Sequence, residues 1–192
     1  MNKRKRLYHS LRLFFIRSSS KRATYLRNKK VYDHIGENVS IMQRKVPLHP
    51  ELIRIHDNVR IGSNVQFITH DGVHNVLNKK YNTQKYKERI GCIEIMSNVF
   101  VGTNSTIMYN VKIESDVIIA AGSVVTKDVP RNSIVGGVPA EVIGKFDSYT
   151  QKRSESKTNI ESPVQHNISS KLKQIMWKEF HEKRNQDKEN EQ

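Results

Sequence analysis

In this 192-residue sequence, the residue best placed for chemistry is His70. An imidazole titrates near working pH without large perturbation, so it can take a proton from an attacking hydroxyl or amine and return it later. His74 is the second candidate base, although a solvated loop residue is the plainer account of it. His49 and His56 read as surface or packing residues. A base of this kind needs a group that orients it and stabilises its charged form. Asp71 is adjacent, and Asp33 and Glu94 are also available; the sequence does not choose among them. His70 and His74 could hold a metal only with a third ligand, and no further His is suitably placed. Cys92, the only cysteine, has no neighbouring His motif to activate it and is expected to be a buried thiol.

His70 is singled out by its position in a repeat. From 95 to 130 aliphatic residues recur every six places, at Ile95, Val101, Ile107, Ile113, Ile119 and Val125. Three places after each stands Asn98, Asn104, Asn110, Asp116, Gly122 or Asp128, residue types that tolerate left-handed backbone angles. A period of six fits neither a helix nor a flat strand, but it suits a coil of short parallel strands joined by tight corners. The register extends back through Phe67, Ile61 and Ile55 to Ile41 and Ile35, and lapses through Arg44–Arg54, where Pro47 and Pro50 prevent a regular ladder. Of the eleven corner slots, only Arg44 and His70 depart from Asn, Asp or Gly. Phe67 and Ile95 are not separated by a multiple of six, so residues of about 71–89 must leave the coil. His70 therefore stands where the coil opens into a long loop, and long excursions from regular scaffolds tend to carry function. The competing account is that His merely tolerates a left-handed corner, as Asn does.

Three segments are expected. Residues 1–30 form a basic amphipathic helical segment, with Leu7, Leu11 and Phe14 on one face beside Tyr8 and Phe15. It is read as a cap on the open end of the coil, with attraction to a membrane surface as the other role. Residues 31–146 form the β-helix, with the loop insertion at about 71–89. Residues 147–192 are a polar linker to about 167, a helix over 168–184 and a tail expected to fray.

The formal net charge is +14, and residues 1–32 hold eleven Lys and Arg with no Asp or Glu. Such a balance favours anionic partners: a phosphorylated cofactor, a nucleotide- or lipid-linked substrate, or a membrane surface. Nucleic acid is the weakest of these, because no helix-turn-helix, finger or RNP-like pattern occurs. The loop basics Lys79, Lys80, Lys85, Lys87 and Arg89 fit a phosphorylated acceptor or a solvated face equally well. No apolar run reaches the length of a membrane span, and a cytoplasmic protein is expected, with peripheral contact at the inner face of the membrane through the basic N-terminus.

These hexads resemble the left-handed parallel β-helix of the hexapeptide-repeat acyltransferases. IIAAGSVVTKDVPRNSIVGGVPAEVIGKF is similar to the C-terminal signature of the sugar and xenobiotic O-acetyltransferase branch. FITHDGV resembles the catalytic-loop segment of acetyltransferases that modify capsule, exopolysaccharide or O-antigen sugars. The resemblance covers about residues 35–146. It implies a homotrimer with sites in clefts between coils, acetyl-CoA as acyl donor, and direct transfer to a hydroxyl of a saccharide acceptor without an acyl-enzyme. It also implies His70 as general base, with Thr103, Ala121, Thr126 and Lys127 lining the CoA groove and Lys127 near a phosphate. Two departures stand out: MYNVKIE at 108–114 replaces a corner that usually contains Pro-Gly, and Glu141 stands where relatives can place a CoA-contacting Arg. The alternatives are N-acetylation of an amino sugar or amino acid, and a non-enzymatic β-helical scaffold.

Overall fold

A computed structural model describes residues 1–155 and 168–190. The chain has two compact parts, divided between Gln151 and Lys152. Thirteen short strands in the first part form three sheets. The first sheet stacks β1 (His34–Ile35), β3 (Ile53–Ile55), β6 (Ile93–Ile95) and β9 (Val111–Ile113). The second stacks β2 (Ser40–Ile41), β4 (Val59–Ile61), β7 (Val99–Val101), β10 (Val117–Ile119) and β12 (Ser133–Gly137), then β13 (Ala140–Lys145) in antiparallel sense. The third stacks β5 (Gln66–Phe67), β8 (Thr106–Ile107) and β11 (Val124–Val125). From β3 to β11 successive strands visit the three sheets in rotation, and all neighbours before β13 are parallel, so the chain winds as a three-sided coil.

The hexad explains this winding. Each leading aliphatic points inward: Ile55, Ile95 and Ile113 are fully buried one above another in the first sheet, and Ile119 and Ile107 are fully buried in the second and third. Eight corner slots take positive φ: Asn38, Asn58, Asn64, Asn98, Asn104, Asn110, Asp116 and Gly122. At the corner between the first and second sheets the side chains form a ladder. Asn38 donates to Asn58 at 2.8 Å, Asn58 to Asn98 at 2.9 Å, and Asn98 to Asp116 at 2.9 Å. Fully burying an isoleucine is worth about 1.5–3 kcal/mol, against about 1 kcal/mol for an exposed amide pair. The aliphatic stack therefore holds the coil, and the ladder sets the corners. Asn98→Ala removes two ladder bonds and leaves a Cβ residue at φ 62 with no local compensation. It is expected to lower stability by roughly 2–3 kcal/mol, and Asn98→Gly by about 1 kcal/mol less, read from urea denaturation midpoints.

Residues 1–30 hold two helices rather than one, α1 (Lys3–Phe15) and α2 (Ser19–Asn28), each N-capped by a side chain: Asn2 accepts from Lys5 N–H and Ser18 from Lys21 N–H. They cover the first turn of the coil, but not with the face the sequence suggests. Leu13, Ala23 and Leu26 are buried there, while Leu7, Tyr8, Leu11, Phe14 and Phe15 are exposed. Arg22 makes the attachment. Its buried guanidinium donates to the carbonyls of Ile41 (2.8 Å), Ile16 (2.7 Å) and Arg17 (2.9 Å), tying both helices to the end of β2.

Part of the expected polar linker is helical: α4 covers Phe146–Glu155. Asn132 and Asp147 fix its first turn by exchanging two hydrogen bonds, at 2.8 and 2.9 Å. Residues 156–167 of that linker lie outside the described residues, as do the last two residues of the expected frayed tail. α5 runs over Ser170–Asn190, longer than the helix expected, with Ile175, Met176 and Phe180 of the expected apolar face exposed.

Candidate active site

The chain leaves the coil just after β5 and returns just before β6. Asp71 N–H donates to Arg89 C=O at 3.0 Å, Gly91 N–H to Thr69 C=O at 2.9 Å, and His70 and Ile90 face each other as an antiparallel bridge. The excursion is thus closed at its root like a hairpin, and it carries the short helix α3 (Val73–Lys80). Inside it the Asn78 amide accepts from Tyr86 N–H at 3.1 Å and donates to Tyr86 C=O at 2.9 Å, holding the two limbs together.

The root also explains the unusual MYNVKIE corner. Tyr109 Oη, one turn further along the coil, donates to Asp71 Oδ2 at 2.8 Å, and Asp71 Oδ1 accepts from Val73 N–H at 3.1 Å. The Tyr109 hydrogen bond, aided by Val73 N–H and the charges of Arg89 and His74, outweighs desolvation and holds the Asp71 carboxyl below its ordinary pKa. A depressed pKa in the fold means the clip is present above the ordinary carboxylate range and is lost as pH falls through the depressed value. Tyr109→Phe is expected to return the Asp71 pKa toward its ordinary value in an NMR titration, and to speed amide exchange at Asp71.

His70 does not occupy a left-handed corner. Its φ is not among the positive ones, because the residue is drawn into the bridge with Ile90. The account in which His merely stands in for Asn at a strained corner has no strain to rest on. The imidazole is half-buried, and its Nδ1 is buried without a hydrogen-bond partner. None of the three candidate orienting carboxylates turns towards it. Asp71 is taken by Tyr109, Asp33 pairs with Arg54, and Glu94 holds His56 at 3.1 Å. The neighbour is instead His49, whose ring packs edge-on against His70 with centroids 5.6 Å apart, while Glu51 Oε1 lies 3.8 Å from His49 Nδ1. His49, read as a surface or packing residue, thus packs on the candidate base itself. It lies in the lapse of the repeat that precedes β3, and the lapse was the available signal for it.

Register places the other expected residues. Phe67, Ile107 and Val125 stack, so His70, Asn110 and Asp128 share one corner, with Thr126 and Lys127 on it two turns from His70, about 10 Å along the coil. Thr103 and Ala121 stack on the opposite corner of the same sheet. Gly122 N–H donates to Thr103 C=O at 2.9 Å, and a Cβ on Gly102 would meet Ala121 N at 2.5 Å. The five residues thus flank the third sheet from two sides, and Thr103, Ala121, Thr126 and Lys127 are all exposed. His74 lies on α3 with its Nδ1 also buried and unbonded, in a separate cavity of about 690 Å³ lined by α3 and the returning limb. Glu141 is exposed on β13. Cys92 is exposed rather than buried, because the inward positions on either side of it are Gly91 and Ile93. Among the described residues, no three His, Cys, Asp or Glu side chains converge where a metal could be held.

A trough of about 790 Å³ opens beside His70, between α1, residues 42–48 and the β5 edge. Its walls include Arg6, Gln43, Arg44 and Lys45, none of which the sequence marks as part of a site.

The bacterial transferase hexapeptide family (six repeats) matches residues 93–127. A putative acetyltransferase of Bacillus subtilis strain 168, YvoF, is 32% identical over 135 residues, 69% of each chain. The chain belongs to the hexapeptide-repeat acetyltransferase family. Protein CapG of Staphylococcus aureus is 40% identical over 107 residues, and the galactoside O-acetyltransferase of Escherichia coli K12 is 32% identical over 132. The chain spans 60% and 63% of the length of these two relatives. Among solved structures of the family, a galactoside acetyltransferase in complex with coenzyme A is 26% identical, with a TM-score of 0.57 over 83% of this chain and 89% of its own. A maltose O-acetyltransferase from Clostridium difficile 630 is also 26% identical, with a TM-score of 0.55 over 74% and 86%.

Proposed function

We propose that the protein transfers an acetyl group from acetyl-CoA to a hydroxyl of a saccharide, in the making of a surface polysaccharide, as a homotrimer of left-handed coils. The observation that carries this reading is His70: a half-buried imidazole at the root of the loop, with Nδ1 unbonded, on a corner bounding the third sheet. A buried polar atom without a partner costs roughly 1–3 kcal/mol, and such exceptions are tolerated at groups that do chemistry.

In the proposed step His70 takes the acceptor proton as the oxygen attacks the thioester carbon. Backbone N–H groups steady the oxyanion, the C–S bond breaks, and the sulfur leaves with the proton from the imidazolium. Each turnover yields one ester and one free thiol. Thr103 and Ala121 on one corner, and Thr126 and Lys127 on the other, form one wall of the CoA groove, with Lys127 towards a phosphate. Their exposure suits a groove completed by a neighbouring coil.

Relatives include 2,3,4,5-tetrahydropyridine-2,6-dicarboxylate N-acetyltransferases, such as that of Clostridium perfringens strain SM101, 42% identical over 64 residues. That match covers only 27% of the relative, against 63% for the galactoside enzyme, which favours the hydroxyl. Thiol release from acetyl-CoA, measured with panels of neutral sugars, amino sugars and amino acids, decides the matter. Turnover with hydroxyl acceptors is expected; turnover only with amines would move the function to N-acetylation, and absence of both turnover and CoA binding would leave a scaffold.

A further inference from the structure

We infer that the trough beside His70 is an acceptor subsite for a sugar carried on a diphosphate. The inference rests on the reading of His70 as the base and adds the chemical class of the acceptor. Three cations stand in the trough wall: Arg6 and Arg44, half-buried, and Lys45, exposed. The wall contains no carboxylate, and among the described residues no acidic side chain pairs with any of the three. Elsewhere the fold readily neutralises its arginines, as in Arg54 with Asp33 and Arg131 with Asp116.

Arg44 is also held in place. Its Nη1 donates to the Phe14 carbonyl at 2.6 Å, and its guanidinium lies 5.6 Å from the centre of the Phe14 ring. The carbonyl is neutral, so the positive charge remains uncompensated while the fork is fixed. A fixed guanidinium with a second arginine in the same wall suits a phosphoryl group, which accepts paired N–H donors. Gln43 Oε1, in the same wall, is buried without a partner, as is Nδ1 of His70. Both side chains add polar character to the wall, and three unpaired cations call for more negative charge than one carboxylate supplies. A volume near 790 Å³ has room for a sugar together with its phosphates. One ligand meets all of these demands, a glycosyl diphosphate with its sugar towards His70. The carrier beyond the diphosphate is either a nucleoside or a lipid.

The test is calorimetric titration of the full chain with inorganic pyrophosphate in the presence of saturating CoA, so that the donor groove is already filled. One site per chain is expected. Arg6→Gln with Arg44→Gln should weaken binding at least tenfold, while Lys3→Gln with Lys5→Gln, on α1 but outside the trough, should change it less than threefold. Arg6→Gln alone, a helix-compatible change that leaves the Arg44 contact in place, should weaken binding at least threefold and covers the case in which the double variant is unstable. Competition with UDP-glucose and with farnesyl diphosphate identifies the carrier, the tighter competitor marking a nucleotide- or a lipid-linked acceptor. No pyrophosphate binding to the CoA-loaded chain, or equal weakening by both double variants, overturns the subsite and leaves the His70 reading standing. Failure of CoA itself to bind strikes that reading instead.

Discussion

Replacing His70 with alanine is expected to lower acetyl transfer by roughly 10²–10⁴-fold while CoA binding and thermal stability stay close to those of the native chain. The side chain is half-buried at the rim and is no part of the aliphatic stack, so truncation leaves no core cavity. The backbone at this slot is not left-handed, so alanine is unstrained there. His70→Asn should be as damaging, because an amide fits the corner but cannot accept the proton. Thiol release at saturating acetyl-CoA, followed by a melting curve, separates chemistry from folding. Turnover retained in either variant would sink the assignment of His70. His49→Ala should have a smaller effect, on kcat and its pH profile more than on KM, because His49 touches His70 rather than the thioester.

The second large effect is expected from Arg22→Leu. The substitution conserves an apolar stem but leaves the carbonyls of Ile41, Ile16 and Arg17 without their donors. Each buried acceptor left unpaired costs roughly 1–3 kcal/mol, so a loss of about 3 kcal/mol or more is expected in denaturant unfolding. The loss should be local first. Amide exchange should rise over α1 and α2 before the third sheet responds. Because Arg6 and Phe14 belong to α1 and line the trough, acceptor KM should rise more than donor KM. A drop in stability below 1 kcal/mol would show that Leu13, Ala23 and Leu26 hold the cap without the arginine.

The coil was legible in the sequence because a period of six leaves little choice. Aliphatics at that spacing can be buried only if the chain turns a corner after each short strand, and Asn, Asp and Gly mark where it turns. The excursion was legible for the same reason, as an interruption of the count between Phe67 and Ile95. What could not be read depends on which surface meets which. The apolar stripe of α1 announces an amphipathic helix, yet Leu13 on another side is the residue buried, because α2 and Arg22 fix the docking angle. The neighbour of His70 was equally hidden. His49 lies twenty-one positions earlier, in a stretch with no repeat, and its ring reaches His70 only because the coil stacks its turns. The three candidate orienting carboxylates, Asp71, Asp33 and Glu94, are each claimed by another partner.

The hairpin-like closure of the excursion has a consequence for how such a protein can diversify. The chain leaves at Asp71 and re-enters at Arg89 on the same rung, so the distance between the two ends does not depend on what lies between them. Doubling the length of such an insertion adds only about 0.6 kcal/mol of closure entropy, and it shifts no hexad on either side. The excursion can therefore be exchanged as a cassette, while the corners carrying Thr103, Ala121, Thr126 and Lys127 keep their register. New surface can be grafted into one stretch of sequence without disturbing the coil in another.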